Sequence, residues 1–177
     1  MLTITPKGPT QAVDVLGVRV EFLIEPSFPE VSYCVLKGTI PAGMVVPLHS
    51  HRDDESFFVV SGEADVLKER EGGQLEWQRV TAGDFVHIAG GMKHAHRNRS
   101  KSAVVELVMT TSLLGRFFQE VGRPLSSAGA PPTGQELERF ATLAAQYGHW
   151  LASPSENARF GLEMPKPARQ LDRDEAL

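Results

Sequence analysis

The sequence predicts a mainly β fold, a closed barrel or a double-sheet jelly roll, with two α-helices appended at its C-terminal side. Three observations carry this. Between Ala12 and Thr111, nine or ten short runs rich in Val, Ile, Leu and Phe alternate with turns built from Gly, Pro and Asp, and none of them keeps a helical period. After Thr111 the apolar residues switch to helical spacing. A chain of 177 residues is long enough for one domain to bury roughly 70% of its unfolded surface without disulfide support.

Taken in order, AVDVLGVRVEFLI (12–24) reads as two short strands or one strand bent at Gly17. EPSFPE (25–30) is a turn region, and VSYCVLKGTI (31–40) is a strand ended by Pro41-Ala42-Gly43. MVVPLHSH continues extended, with Pro47 marking an edge or an irregularity. ESFFVVSG ends a strand at Gly62. EADVLKERE and QLEWQRV flank Gly72-Gly73, a hairpin signal. DFVHIA, HAHRN and AVVELVMTT complete the extended set. Leu113, Leu114, Phe117, Phe118 and Val121 then fall on one helix face, with Gly122 as its stop. PLSSAGAPPTG (124–134) is a loop. Thr133 and Glu136 have capping-box spacing ahead of a helix expected to run to residue 151, with a stripe of Leu137, Phe140, Ala141, Ala144, Gly148 and Leu151. This divides the chain into a barrel (1–111), a helical appendage (112–152) and an irregular tail (153–177). The helices are expected to pack on the barrel exterior or on a second subunit.

Composition excludes several classes. A net charge of −4 with scattered basic residues argues against a nucleic-acid binder. No apolar stretch approaches a membrane span, and the N-terminus lacks the pattern of a signal peptide. The single cysteine, Cys34, lies in an apolar strand and reads as a small buried hydrophobe. Together these give the expectation of a cytoplasmic protein.

Chemistry concentrates in GMVVPLHSHRDDESFFVVSG (43–62) and GDFVHIAGGMKHAHRN (83–98). Residues two apart on a strand share a face, so His49 and His51 point the same way, and Glu55 follows across a short turn. His94 follows the glycine-rich turn Ala89-Gly90-Gly91, which can bring it to the same point. Three imidazoles and a carboxylate suit one divalent first-row metal ion: Fe, Mn, Ni, Co, Cu or Zn. With four protein donors and no cysteine, coordination positions stay open, which favours catalysis over a closed structural site. By the same parity His96 faces the cavity with His94. It is either a group lining the pocket, able to orient substrate or move a proton, or a stacked core histidine. Asp53 and Asp54 read as a solvated turn, Asn98 as a structural bond to backbone, and His87 as structural or outward. Lys93 reads as a solvated rim lysine, with contact to an anionic substrate as the alternative.

These two segments resemble the cupin superfamily. The first cupin motif is matched by Gly43, His49, His51, Glu55 and Gly62, and the second by Gly83, Gly91, His94 and Asn98, with Ala89 where the motif has proline. The resemblance implies a jelly-roll or double-stranded β-helix barrel holding a metal in its mouth, and a homodimer. RFFQEVGRP (116–124) and QYGHW (146–150) are further similar to single-domain bacterial cupins of the quercetin 2,3-dioxygenase type. That likeness implies cleavage of a C–C bond in an enolic or flavonol-like small molecule with dioxygen. Glu55 would be the general base, His96 an assisting group, and Phe57 and Val59 either pocket wall or barrel core. The alternatives are a metal-dependent isomerase or decarboxylase acting on a small hydroxy or keto acid, and a non-catalytic small-molecule-binding protein.

Overall fold

The computed structural model describes residues 11–27, 32–70, 72–127 and 129–162. The expected turn at 25–30 and the expected tail therefore fall partly outside the described residues. Among the described residues ten strands precede any helix: β1 (Ala12–Val15), β2 (Val18–Ile24), β3 (Tyr33–Ile40), β4 (Val45–Ser50), β5 (Glu55–Ser61), β6 (Glu63–Glu69), β7 (Leu75–Thr81), β8 (Phe85–Ile88), β9 (His94–Arg97) and β10 (Val104–Thr111). They form two antiparallel sheets. One has the order β1-β2-β3-β10-β5-β8. The other has the order β4-β9-β6-β7, extended by one two-residue strand, β11 (Trp150–Leu151), beside β4. This is a jelly roll, and it agrees with the predicted class.

Local chemistry sets the turns. The break foreseen at Gly17 separates two strands, because Leu16 and Gly17 both take positive φ in a tight hairpin. Gly72 and Gly73 do the same between β6 and β7. Pro47 cannot donate to a ladder, and the β4–β9 register slips between Val46 and His49, across the proline. Strand parity then fills the space between the sheets. Phe22, Cys34, Leu36, Phe57, Val59, Val66, Val80 and Val104 form one buried cluster. Cys34 is fully buried, as expected, and burial pushes its thiol up to about 12.

Beyond the barrel, α1 (Ser112–Val121) starts at Thr111, whose hydroxyl accepts from the Leu114 N–H, and ends at Gly122 as foreseen. It packs on β1, β3 and β10. The foreseen capping box at Thr133 and Glu136 opens α2 (Gly134–Gln146).

Two expectations fail here. The helix does not reach residue 151: Gly148 takes φ 77°, a left-handed conformation that ends the helix, and Trp150–Leu151 become strand β11. The packed face of α2 is therefore Phe140, Leu143, Ala144 and Tyr147, and Leu151 is exposed. Nor is the start of the tail irregular. Ser153 and Glu156 form a second capping box for α3 (Pro154–Ala158), and Asn157 is fully buried. Its Oδ1 accepts from the Leu48 N–H at 2.8 Å, and its Nδ2 donates to the Ala152 and Ser153 carbonyls. Leu162 then joins Leu48, Leu67 and Ala95 in a cluster on the outer face of the second sheet.

Candidate metal centre

Four of the predicted residues converge at one end of the barrel. β4 carries His49, β9 carries His94, and β5 opens with Glu55; His51 lies in the turn between β4 and β5. His49 and His94 are register partners, and Glu55 pairs with Thr110 on one side and Ile88 on the other. Two motif turns are clamped together. The Gly91 N–H donates to the His51 carbonyl, and the Gly90 N–H donates to Asp54 Oδ1 at 2.8 Å. A Cβ on Gly90 would lie 2.2 Å from the Arg52 carbonyl oxygen, so only glycine lets the two turns meet this closely.

The ring orientations suit a metal. Each Nδ1–H donates to a backbone carbonyl: His49 to Pro47 (2.8 Å), His51 to Asp53 (2.9 Å) and His94 to Met92 (3.0 Å). Fixing the proton on Nδ1 leaves each Nε2 with a free lone pair, as metal-binding imidazoles require. The donor atoms of the three histidines lie within 4.8 Å of one another, so the trio can hold a metal ion. Glu55 falls outside this mutual set, yet its Oε2 stands 3.6 Å from His51 Nε2 and 3.5 Å from His94 Nε2. Those separations are too long for good hydrogen bonds. Both nitrogens are buried with no hydrogen-bond partner, which a shared cation would supply.

Electrostatics agree. Burial alone would raise the Glu55 carboxyl, but His51 and His94 outweigh it and hold Glu55 well below the usual carboxylate range. Burial, and then the neighbouring His94 and His51, push His49 well below the usual imidazole value. His51 moves the other way: burial lowers it, but the Glu55 hydrogen bond and charge outweigh burial and raise it above the usual imidazole value, so metal binding there displaces a proton that Glu55 otherwise holds on the ring.

His96 does face the interior. Its ring lies 4.9 Å from Phe57 and 6.2 Å from His94, and its Nδ1 is buried without a partner. Burial, then His94, bring it down to about 4, so it is neutral at neutral pH. Phe57 and Val59 are barrel core. Asn98 is structural: its Nδ2 donates to the Ile40 and Ser102 carbonyls. His87 is outward, hydrogen-bonded to Ser56. Lys93 sits over the Trp150 ring at 4.5 Å rather than in open solvent.

Asp53 is not a solvated turn residue. It is buried, Thr111 Oγ1 donates to its Oδ1, and its Oδ2 has no partner. Through Thr111, the N-cap of α1, Asp53 ties the metal-motif turn to that helix. Asp54, by contrast, is exposed.

Two residues near the centre were not foreseen. Glu106 on β10 is buried in the barrel interior, and burial, then the Glu55 charge, push its carboxyl up to about 8. Parity could have found it, since Val104, Glu106, Val108 and Thr110 alternate inward on that strand. His149 packs at 4.2 Å on Phe117 and at 5.4 Å on His51 (ring centroids). No local signal marks it, because its place depends on the chain returning across β4.

Comparison with known proteins agrees with this architecture. A family model described as a cupin domain matches residues 36–110, a span that includes all four converging residues. No match was found among curated proteins. Among solved structures, the polyketide cyclase RemF from Streptomyces resistomycificus aligns over 63% of this chain and 80% of its own, with 16% identity and a TM-score of 0.54. KdgF from Halomonas sp. aligns over 62% and 94%, with 19% identity and a TM-score of 0.51. The DMSP lyase DddQ from Ruegeria pomeroyi DSS-3 is 31% identical over 45% of this chain, with a TM-score of 0.39, and the match spans only 38% of that protein's length. At these identities the likenesses to RemF and KdgF concern the fold. Among the described residues no helix is long and apolar enough to cross a membrane. With its two motif segments folded into one histidine cluster inside a two-sheet jelly roll, the chain has the cupin fold, and its residues 36–110 match the cupin domain family.

Proposed function

We propose that the protein is a metal-dependent dioxygenase that cleaves a C–C bond of an enolic small molecule, with His49, His51, Glu55 and His94 as the metal ligands. The observation that carries the reading is the convergence of three Nε2 lone pairs, each fixed by an Nδ1–H bond to backbone, beside an ionised Glu55. A divalent ion bound there would act as a Lewis acid on a substrate oxygen and lower the pKa of its hydroxyl. Glu55 accepts that proton, since it is the nearest carboxylate and is already ionised. His96 positions the substrate. With its conjugate acid lost near 4, it does not work as a cationic proton donor at neutral pH. Phe57, a core residue, packs against the His96 ring at 4.9 Å and holds it in place. Dioxygen is the second substrate.

A second reading, an isomerase or decarboxylase acting on a small hydroxy or keto acid, is favoured by Glu106. A buried carboxyl held protonated to about 8 is an acid that can return a proton to a carbanion. The homodimer belongs to the proposal too. Phe58 and Phe85 are register partners on the outer face of β5 and β8, and with Val60 they form an exposed apolar patch.

The test is metal analysis of natively purified protein, then oxygen uptake against a panel of enolic compounds. Oxygen consumption that disappears in Glu55→Gln supports the dioxygenase. Turnover under anaerobic conditions supports the second reading. Tight ligand binding without turnover makes the protein a binding module.

A further inference from the structure

A cavity of about 110 Å³, lined by Val66, Lys68, Gln78, Val80 and Val86 with the exposed Phe85 and His87 at its mouth, opens at the edge where β7 and β8 face each other. Its position follows from topology. β7 and β8 are the outermost strands of their sheets on one side. The Thr81–Asp84 turn joins them at one end, and at the other end they part. That open end is where Glu55 pairs with Ile88 and where His94 lies.

Register ties the cavity wall to the metal centre. On β6, Lys68 is the partner of His94, and Val66 is the partner of His96. On the far side, Val66 is the partner of Gln78. Directly opposed residues share a face, with Cβ atoms about 4.5–5.5 Å apart. Two inward rows therefore cross the sheet, one running His49–His94–Lys68 and the other Val46–His96–Val66–Gln78. Lys68 thus stands one strand beyond a metal-site histidine.

The neighbouring charged groups are already engaged. Lys93 lies over Trp150, and Arg97 lies over Trp77 while its Nε donates to Asp65. Glu76, the partner of Lys68 on β7, is paired with Arg70 at 2.5 Å. Among the described residues no carboxylate forms an ion pair with Lys68. A cation on a partly enclosed wall, with an amide beside it and apolar walls around it, is a site for an anion.

We infer that Lys68, assisted by Gln78, binds a carboxylate of the substrate, set apart from the oxygens that meet the metal centre. The substrate is then an enolic or keto compound carrying a carboxylate, not a neutral flavonol. This rests on the metal-enzyme reading above and narrows its substrate class.

The test is anaerobic calorimetric titration of wild type, Lys68→Met and Lys68→Arg, each with measured metal content. The probes are 3,4-dihydroxybenzoate and 3,4-dihydroxybenzamide, which share adjacent hydroxyls and differ in the carboxylate. Wild type is expected to prefer the benzoate by about tenfold. Lys68→Met should bind both alike, and Lys68→Arg should keep the preference. Equal affinities in wild type, a preference that survives in Lys68→Met, or binding of neither probe by metal-loaded wild type overturns the assignment while leaving the metal centre intact. Protein that takes up no metal refutes the enzyme reading instead, and the carboxylate preference is then judged on the metal-free protein by the same criteria.

Discussion

Replacing Glu106 with Gln should stabilise the metal-free protein at alkaline pH and leave it nearly unchanged in acid. The carboxyl is 3% exposed, Oε1 has no hydrogen-bond partner, and burial followed by the Glu55 charge moves it from an ordinary 4.5 to about 8. Because the folded value is the higher one, the folded chain keeps its proton where the unfolded chain has lost it. Stability therefore falls as pH rises from about 4.5 to about 8 and is level beyond. At 1.36 kcal/mol per decade the displacement corresponds to roughly 5 kcal/mol. Side-chain rearrangement and water entry reduce this, so a gain of about 1–3 kcal/mol is expected at pH 8.5. Gln has the same shape and no charge at any pH. Urea unfolding of both chains in chelator, at pH 5 and pH 8.5, reads the effect. The other titrating groups are common to both proteins and largely cancel in the difference. A stability difference that is the same at both pH values would refute the argument, because it would mean that Glu106 does not titrate between them in the fold.

Two further changes probe the metal centre and the segment that closes over it. His49→Ala removes one of three converging nitrogens and should weaken metal binding by more than about a hundredfold, so that the ion is lost on gel filtration and the rise in Tm caused by added metal disappears. Full metal occupancy in that variant would sink the four-ligand assignment. Asn157→Ala leaves the Leu48 N–H and two carbonyls without their buried partner and should cost about 3 kcal/mol in urea unfolding, where a loss under about 1 kcal/mol would show that α3 contributes little to the fold.

The barrel was legible because strands advertise themselves locally. Alternation, glycine pairs at hairpins and proline at an irregularity each act within a few residues, and all of these signals recur in the structure at Leu16-Gly17, Gly72-Gly73 and Pro47. The end of α2 was misread for a local reason as well. Leu137, Ala141 and Leu151 kept the helical period on paper, but Gly148 takes a left-handed φ and the chain leaves the helix two residues earlier, at Gln146. The short helix after Ser153 carried its own capping-box signal in Ser153 and Glu156, which polar composition obscured.

The centre divides along the same line between local and distant causes. His49, His51, Glu55 and His94 are placed by strand parity and by glycine turns, so spacing alone brings them together. Glu106 obeys the same parity and was readable in principle: an acidic residue at an inward position of an apolar strand must be paired or protonated, and burial chooses protonation here. Asp53 and His149 are different. Asp53 is buried because Thr111, fifty-eight positions away, caps a helix against it, and His149 reaches His51 only because Trp150 and Leu151 pair with Ser50 and His49. Such contacts are properties of the closed chain, with no periodicity or motif to announce them. It follows that the C-terminal segment, which looks like an appendage in the sequence, helps to define the wall of the centre. Lys68 and Gln78, proposed above to meet the substrate carboxylate, lie outside the two motif segments, as do Glu106 and His149, so motif spacing alone does not report them.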